Sequence, residues 1–398
     1  MKLLVLFFLI FSSALSIVLK NHLTRVESLR KRLIKSGKWE NYYRNKMLRR
    51  MNLSSVNDPV MDYDDIGYLV NITIGTPGQL FSVIPDTGSA FFWIPDVTCG
   101  KSESEGGEGP CRDLFHKFDS NQSSTYEKIG KTFSIQYDSS DIKGFFGMDV
   151  FNLVGIMKTL SIPNTIFGQV VEINSDIFGT PIEGTFGLAF RDMTTSGITP
   201  PLINGINQHL FDKPLFSIHL EHKGIYSLMG AIGGSITYGD FDYDNCDSTV
   251  NYVPLSSTSY WQFKIDSISL GSTSSKGRWN VKSETATSSI MGPSRIVDKL
   301  AKEAGATYVE KFGYYSIDCN ANFLDLKVSI GNNEYLVSKT NLIEELFFDS
   351  CIFAMNKLES NGFGAQWYFG DPFLVSYCHV YDVKKKQIGF SKPKKNKS

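Results

Sequence analysis

A duplicated pattern of apolar runs and acid-containing turns constrains the fold of this chain more than any other feature. Residues 86–89 read Asp-Thr-Gly-Ser after an apolar run, and about two hundred residues later residues 284–287 read Glu-Thr-Ala-Thr. Within about a hundred residues of each turn comes an apolar stretch that contains glycine, at residues 184–190 and 367–373. The repeat predicts two similar β lobes with a cleft between them, and ligands commonly bind in such clefts.

The rest of the pattern favours strands and turns. Aromatic residues make up 13% of the chain and there are 34 glycines. Residues 68–78 are typical, with an apolar strand followed by a turn rich in Gly and Pro. Two segments indicate helices instead. In residues 23–50 apolar side chains recur at helical spacing with a break at Ser36-Gly37, and residues 293–304 form one apolar face after a Gly-Pro start.

The N-terminus has the features of a secretory signal peptide. Lys2 is followed by the apolar run 3–11 and by small residues that predict cleavage after Ser16, and a signal anchor is the alternative. No later stretch approaches the ~18–20 apolar residues of a membrane span. We therefore expect a secreted or lysosomal/vesicular protein that has no membrane contact after signal cleavage.

Charge is distributed unevenly along the chain. The net charge is −1, yet residues 17–50 contain 11 Lys and Arg against 2 acids, and residues 51–398 contain 28 basic and 39 acidic residues. This asymmetry predicts electrostatic docking of a basic N-terminal segment on an acidic body. The alternative for the segment is a solvated basic helix.

Cysteines and glycosylation sequons agree with a secretory route. Six cysteines indicate three disulfides, for which the sequence alone allows 15 pairings. Cys99 and Cys111 flank a polar, glycine-rich loop and are the simplest local pair. The three Asn-x-Ser/Thr sequons predict glycosylation in this compartment, and they begin at Asn52, Asn71 and Asn121.

Other chemistries are disfavoured. His219 and His222 are separated by two residues that continue a strand pattern and not a metal-binding helix. The chain has no Gly-x-Ser-x-Gly elbow and no phosphate-binding glycine loop. We expect a monomer with no cofactor, no metal and no nucleic-acid partner.

Taken together, these motifs resemble the pepsin-like aspartic proteases, in particular the nematode branch. The resemblance covers residues 28–390. Residues 28–38 look like the basic prosegment of the family, and residues 86–89 match its first catalytic loop. Residues 288–293 continue the second loop, and residues 381–390 match the closing strand.

The resemblance implies an all-β, bilobal acid-protease fold that is made as a zymogen. It implies a signal peptide at 1–16, a basic propeptide at 17–58 and a peptidase domain at 59–398, with lobes at about 63–235 and 236–391. The implied partners are a peptide or protein in the cleft and the protein's own propeptide. The implied disulfides are Cys99–Cys111, Cys246–Cys378 and Cys319–Cys351.

The family mechanism explains why the two turns matter. Two carboxylates in contact cannot both ionise, so one holds a proton while the other activates a water molecule that attacks the peptide carbonyl. The implied catalytic pair is Asp86 with Glu284, which replaces the second Asp. The implied supporting residues of the loops are Thr87, Gly88, Ser89, Thr285, Ala286 and Thr287. The implied flap and substrate cleft contain Tyr137, Trp93, Phe145 and Phe146.

Three departures from the family pattern fall on this machinery. Glu284 moves its carboxyl by about 1.5 Å, one C–C bond, and a misplacement of ~1 Å can cost on the order of a hundredfold in rate. Ala286 replaces a glycine and adds a Cβ beside the acids. Residues 138–140 read Asp-Ser-Ser where the flap of the family has a glycine on each side of a small residue.

These departures predict an aspartic endopeptidase with impaired catalysis. One alternative is that the loop relaxes and the Glu–Asp pair still shares a proton. Another is a non-catalytic secreted protein, a pseudopeptidase, that binds peptide or protein in the same aromatic cleft. For Phe145 and Phe146, ordinary core packing is the alternative to a role in the cleft.

Overall fold

The computed structural model describes most of the chain. The described residues are 16–53, 67–100, 111, 116–136, 141–174, 181–194, 197–221, 230–347, 349–358 and 364–394. Nearly all of the predicted signal peptide, the predicted propeptide boundary at residue 58, Tyr137 and the flap residues 138–140 lie outside them.

The described residues form strands throughout and few helices. The strands of the first half are β1 (Leu19–Arg25), β2 (Tyr68–Ile74), β3 (Gln79–Asp86), β4 (Phe92–Pro95), β5 (Glu127–Gln136), β6 (Asp141–Val154), β7 (Thr159–Asn174), β8 (Thr185–Gly187), β9 (Leu215–Leu220) and β10 (Ile232–Tyr238). Those of the second half are β11 (Asn251–Pro254), β12 (Gln262–Leu270), β13 (Thr273–Ser283), β14 (Ile290–Pro293), β15 (Thr307–Val309), β16 (Tyr314–Ile317), β17 (Leu326–Ile330), β18 (Asn333–Val337), β19 (Ile343–Phe347), β20 (Ser350–Phe353), β21 (Met355–Leu358), β22 (Trp367–Phe369), β23 (Cys378–Asp382) and β24 (Gln387–Ser391). The α-helices are α1 (Leu29–Lys35), α2 (Trp39–Leu53), α3 (Pro201–Asn207), α4 (Ser294–Ala304) and α5 (Asp371–Ser376), and single 3₁₀ turns lie at Ser120–Gln122, Arg191–Met193 and Lys339–Asn341.

Three sheets organise these strands. The 13-stranded sheet has the order β11-β24-β23-β9-β10-β1-β2-β3-β8-β4-β7-β6-β5. A seven-stranded sheet has the order β18-β17-β12-β13-β22-β14-β21, and a four-stranded sheet the order β15-β16-β20-β19. The expected bilobal acid-protease fold is confirmed, with strands predominant and a few helices where an all-β chain was expected.

The duplicated sequence pattern corresponds to a duplicated strand arrangement. In the first half β3 runs parallel to β8, β8 antiparallel to β4, and β4 parallel to β7. In the second half β13 runs parallel to β22, β22 antiparallel to β14, and β14 parallel to β21. Ile84 pairs with Thr185 in the first half, and Lys282 pairs with Tyr368 in the second. Ile84 and Lys282 are therefore equivalent positions of the two halves. The acid-containing turns therefore end equivalent strands.

The prediction of helix over residues 23–28 is wrong. Residues Leu19–Arg25 form β1, which pairs with β10 on one side and β2 on the other. Leu19, Asn21 and Leu23 are buried at every second position, as in a strand. Spacing of the apolar residues in this segment fits a helix locally, but hydrogen bonds to two neighbouring strands decide the conformation.

Helices begin only at Leu29. The Ser28 hydroxyl accepts a hydrogen bond from the Lys31 N–H at 3.3 Å and caps α1. The predicted break at Ser36-Gly37 is confirmed, because Ser36 ends the helix and Gly37 has a φ of +69°, which glycine adopts readily.

The N-terminal helices pack on the four-stranded sheet mainly through aromatic side chains. The Trp39 indole N–H donates to the Phe312 carbonyl at 2.8 Å. The Tyr43 ring lies against Gly313, where any Cβ would overlap it. The buried members of this cluster are Leu29, Trp39, Tyr42, Tyr314, Leu346 and Ile352. Apolar contact therefore adds to the charge attraction that the sequence predicts.

The second predicted helix is confirmed with one residue of difference. It spans Ser294–Ala304 after Pro293 and ends at Gly305, whose φ is +82°. Its buried face consists of Val297, Leu300, Ala301 and Ala304. Among the described residues, no helix is long and apolar enough to cross a membrane.

The disulfides pair the cysteines as the resemblance implied. They join Cys99 to Cys111, Cys246 to Cys378 and Cys319 to Cys351. The second of these links positions 132 residues apart and ties the segment before β11 to the start of β23.

Candidate active site

Asp86 lies at the buried end of a strand. It is the last residue of β3, and its side chain has no solvent exposure. The Gly88 N–H donates a hydrogen bond to Asp86 Oδ1 at 2.7 Å, which fixes the carboxyl within its own turn. The carboxyl is therefore held at the point where the first acid-containing loop meets the second.

Two threonines interlock the loops symmetrically. The Thr87 N–H donates to Thr285 Oγ1 at 2.9 Å, and the Thr285 N–H donates to Thr87 Oγ1 at 3.0 Å. Each hydroxyl also donates across the interface, Thr87 to the Ser283 carbonyl at 3.0 Å and Thr285 to the Pro85 carbonyl at 2.6 Å. The buried N–H and hydroxyl groups of these two threonines thus find their partners only when the two halves are joined.

Glu284 begins the second loop and shares the buried site with Asp86. Its N–H donates to the Phe369 carbonyl at 3.0 Å, and the residue is only 5% exposed. The carboxylate packs against Gly88, where an added Cβ would overlap both of its oxygens. The site accommodates the longer side chain of Glu284 because position 88 has no side chain.

Ala286 is the counterpart of Gly88 in the second loop. Its methyl group is buried in an apolar cluster with Leu69, Ile84 and Trp93. The Cβ at this position therefore packs against core residues. The fold therefore accommodates the methyl group that replaces a hydrogen at this position.

A buried lysine that the sequence reasoning did not single out lies beside the acids. Lys282 is 5% exposed, and its Nζ forms an ion pair with Glu284 Oε2. The ammonium also lies 4.1 Å from the ring centroid of Tyr368 and 5.1 Å from that of Tyr260. Burial alone would lower the pKa of Lys282, but Glu284 and the two tyrosines raise it above the ordinary value, so the lysine stays charged.

The two acids differ in their electrostatic environment. Burial and, next, the charge of Glu284 raise the pKa of Asp86 to about 8, against a smaller opposing effect of Lys282. Two neighbouring carboxyl groups in a dry site ionise one at a time. Asp86 is therefore the member of the pair that holds a proton through the acid range, and Glu284 is the member with a cation beside it.

Polar groups support the second loop from behind. Ser283 Oγ lies 3.0 Å from the Tyr381 hydroxyl and 3.2 Å from His379 Nδ1, and all three residues are buried. Burial lowers the pKa of His379 to about 3, so its imidazole is neutral over most of the acid range. The loop thus rests on a neutral hydrogen-bonded group.

The aromatic residues assigned to the cleft lie in different environments. Trp93 is buried in the same cluster as Ala286. Phe146 is 2% exposed, and its ring packs against Phe133 and Phe91 with centroids at 4.9 and 5.9 Å, as a core residue does. Phe145 is partly exposed and points to the opposite face of β6. Ser89 and Thr287, the remaining loop residues, are buried.

The N-terminal segment reaches the second loop directly. Arg30 is buried, and its Nη2 donates to Ser288 Oγ at 3.0 Å and to Glu344 Oε2 at 3.3 Å. Because residue 288 follows the Glu-Thr-Ala-Thr turn, this contact links α1 to the candidate active site.

The remaining predicted positions lie outside the site. Asn71 is exposed on β2, where its Oδ1 accepts from Ser82 Oγ at 2.9 Å, and Asn121 is exposed on a 3₁₀ turn. Asn52 lies in α2, and His219 lies in β9. Within the ranges given for the structure, no three His, Cys, Asp or Glu residues are grouped as metal ligands would be.

An acid from each of two equivalent loops, interlocked by threonines between β lobes, defines an aspartic protease. The chain belongs to the eukaryotic aspartyl protease family, whose sequence model matches residues 67–393. It is 42% identical to "Aspartic protease 6" of Caenorhabditis elegans over 92% of both chains. It is also 34% identical to "Aspartic protease 2" of Necator americanus over 94% of this chain and 95% of that one, and 31% identical to mouse cathepsin E over 93% and 92%.

Proposed function

We propose that this protein is a pepsin-like aspartic endopeptidase whose turnover is impaired. The observation that carries the proposal is the joint burial of Asp86 and Glu284 between loops that the threonine hydrogen bonds interlock. Membership of the aspartyl protease family supplies the reaction class, the hydrolysis of peptide bonds.

The different environments of the acids suggest their roles. Asp86, protonated, donates to the peptide carbonyl oxygen as negative charge develops there. Glu284, ionised, accepts a proton from the water molecule that attacks the carbonyl carbon. The raised pKa of Asp86 supports this division, because the pair then carries one proton at acid pH.

Two features support impaired turnover. The additional methylene of Glu284 changes where the second carboxylate meets the water, and misplacement by ~1 Å can lower rate by on the order of a hundredfold. The ion pair with Lys282 also engages one oxygen of the Glu284 carboxylate, which leaves that oxygen less available to accept a proton from the attacking water.

Cleavage of denatured haemoglobin between pH 2.5 and 6 tests the proposal. We expect slow cleavage by the parent protein and none by Asp86→Asn, with Glu284→Gln equally inactive. Cleavage that survives Asp86→Asn would show that another group, or a contaminating protease, performs the hydrolysis.

A second candidate function is non-catalytic binding of peptide or protein in the cleft. The ion pair of Glu284 with Lys282 favours this function, because the ion pair engages one oxygen of the proposed base. If this candidate is correct, the parent binds peptides that it does not cleave, and Asp86→Asn retains the affinity. Calorimetric titration with peptides from a haemoglobin digest would separate binding without cleavage from turnover.

Residues 17–58 are proposed to act as a propeptide of a secreted or lysosomal protein. The insertion of β1 between β10 and β2 and the contact of Arg30 with Ser288 support this role. Incubation of the purified proform at pH 3–4 should produce cleavage near residues 51–62. A proform that stays intact for hours, while it still cleaves haemoglobin, would contradict it.

A further inference from the structure

Comparison of the two halves of the internal duplication shows one buried position that is apolar in the first half and charged in the second. Position 84 of the first half and position 282 of the second each lie two residues before the acid, opposite the equivalent strand. Ile84 is an apolar member of a buried cluster. Its counterpart Lys282 carries a charge in a similarly buried place.

We propose that Lys282 is a positioning residue that holds Glu284 as a carboxylate and so determines which acid of the pair carries the proton. The inference rests on the proposed endopeptidase function and adds to it a residue that the paired acids alone do not require. It stands on the ion pair of Lys282 with Glu284 and on the difference between Lys282 and Ile84.

Strand geometry explains how the lysine reaches the acid. Residue 284 directly follows β13, and its N–H still bonds to the Phe369 carbonyl of β22. Residues 282 and 284 therefore extend to the same side, as residues two apart on a strand do. The rings of Tyr260 and Tyr368 lie over the ammonium at 5.1 and 4.1 Å and restrict its direction. Tyr368 is itself the counterpart of Thr185, so the ring appears only in the half that has the lysine.

Lys282 makes the electrostatic surroundings of the two acids unequal. The ionisable neighbours that face the ammonium and the carboxylate are Asp86, Glu284, Tyr260, Tyr368 and Tyr381. Burial raises the pKa of Tyr381, so this phenol is neutral at acid pH. None of these five groups is a cation, so Lys282 supplies the positive charge of this set.

The position of Lys282 limits the activity that Glu284→Asp, which restores the second Asp, can recover. Glu284→Asp shortens the acid but leaves the ammonium in the dry site, where it still favours an ionised carboxyl. We expect that exchange alone to raise kcat/KM by less than about tenfold, and Lys282→Ile/Glu284→Asp to raise it by about a hundredfold or more.

The pH profile distinguishes an electrostatic role from a structural one. Removal of the cation by Lys282→Ile should move both limbs of the kcat/KM profile to higher pH, because ionisation of either acid loses its stabilising partner. Lys282→Arg retains the charge and should retain the parent limbs. Lys282→Met, which keeps a long unbranched side chain without the charge, replaces the Ile variant if that variant does not fold.

Infrared titration of ¹³C-carboxyl-labelled protein gives a readout that does not need turnover. Glu284→Gln identifies its band, and loss of Lys282 should raise the pH at which that band appears as a carboxylate. Bands that shift as expected in variants that all fail to cleave would support Lys282 and overturn the endopeptidase proposal. A second outcome would overturn only the role of Lys282. In it, Asp86→Asn abolishes cleavage, but neither the limbs of the kcat/KM profile nor the infrared bands shift in Lys282→Ile and Lys282→Met.

Discussion

The pH dependence of stability should report directly on the buried Asp86. Burial and the neighbouring Glu284 raise its pKa in the folded protein to about 8, whereas its ordinary value is 3.8. Between these values the folded state keeps a proton that the unfolded state releases, so stability falls as pH rises from about 4 to about 8. Below pH 3.8 both states are protonated and the residue contributes no pH dependence.

Asp86→Asn removes this titration and keeps the shape of the side chain. The amide oxygen can still accept the hydrogen bond from the Gly88 N–H, which is 2.7 Å long in the parent. One pKa unit corresponds to about 1.4 kcal/mol. The variant should therefore be more stable than the parent by up to about 4 kcal/mol at pH 7 and by nothing measurable at pH 3.5.

Urea unfolding at steps from pH 3.5 to 7.5 measures the difference. Asp242→Asn is the matched control with the opposite sign. Burial alone would raise the pKa of Asp242, but hydrogen bonds from Lys20, Asn245 and Ser235 lower it below its ordinary value. The control should therefore lose stability, most of all at neutral pH. Parallel stability curves for the parent and Asp86→Asn would refute the assignment of the proton to Asp86.

Three other perturbations test the structure around the site. Thr87→Val removes a donor and an acceptor of the interlock and should cost about 2–4 kcal/mol in urea unfolding. Thr185→Val should cost less than about 0.5 kcal/mol, because the buried Thr185 hydroxyl has no partner among the described residues; equal losses would contradict the interlock. Loss of the Cys246–Cys378 disulfide, through Ala at both positions, should cost about 3–5 kcal/mol and lower Tm in calorimetry, and an unchanged Tm would count against it. Arg30→Ala should accelerate trypsin cleavage within residues 17–53 at pH 7, and an unchanged digestion rate would show that this contact does not hold the segment.

Much of the fold follows from patterns that are local in the sequence. Strand β2 and the turn after it, helix α4 and the break at Ser36-Gly37 agree with the predictions from period and turn chemistry. The segment 23–28 does not, because its apolar spacing suits a helix as well as a strand. Its conformation is decided by pairing with β10 and β2, which are distant in sequence, and local spacing contains no information about that pairing.

The candidate site was likewise only partly predictable from the sequence. The turn at Asp86 stands out because an acid directly follows an apolar run, and the repeat relates the turn at Glu284 to it. Lys282 was overlooked, since a lysine at the end of a long strand ordinarily indicates a solvated face. A signal was present in the duplication itself, because alignment of the two turns places Lys282 opposite the apolar Ile84.

The most direct test of the account is the ratio of kcat/KM between the parent and Asp86→Asn. Both proteins would be purified side by side and assayed at pH 3–6 on one peptide taken from a haemoglobin digest. The account predicts that the parent is at least about a hundredfold faster, since one acid of the pair cannot act alone. Equal values would contradict the claim that Asp86 and Glu284 together hydrolyse peptide bonds.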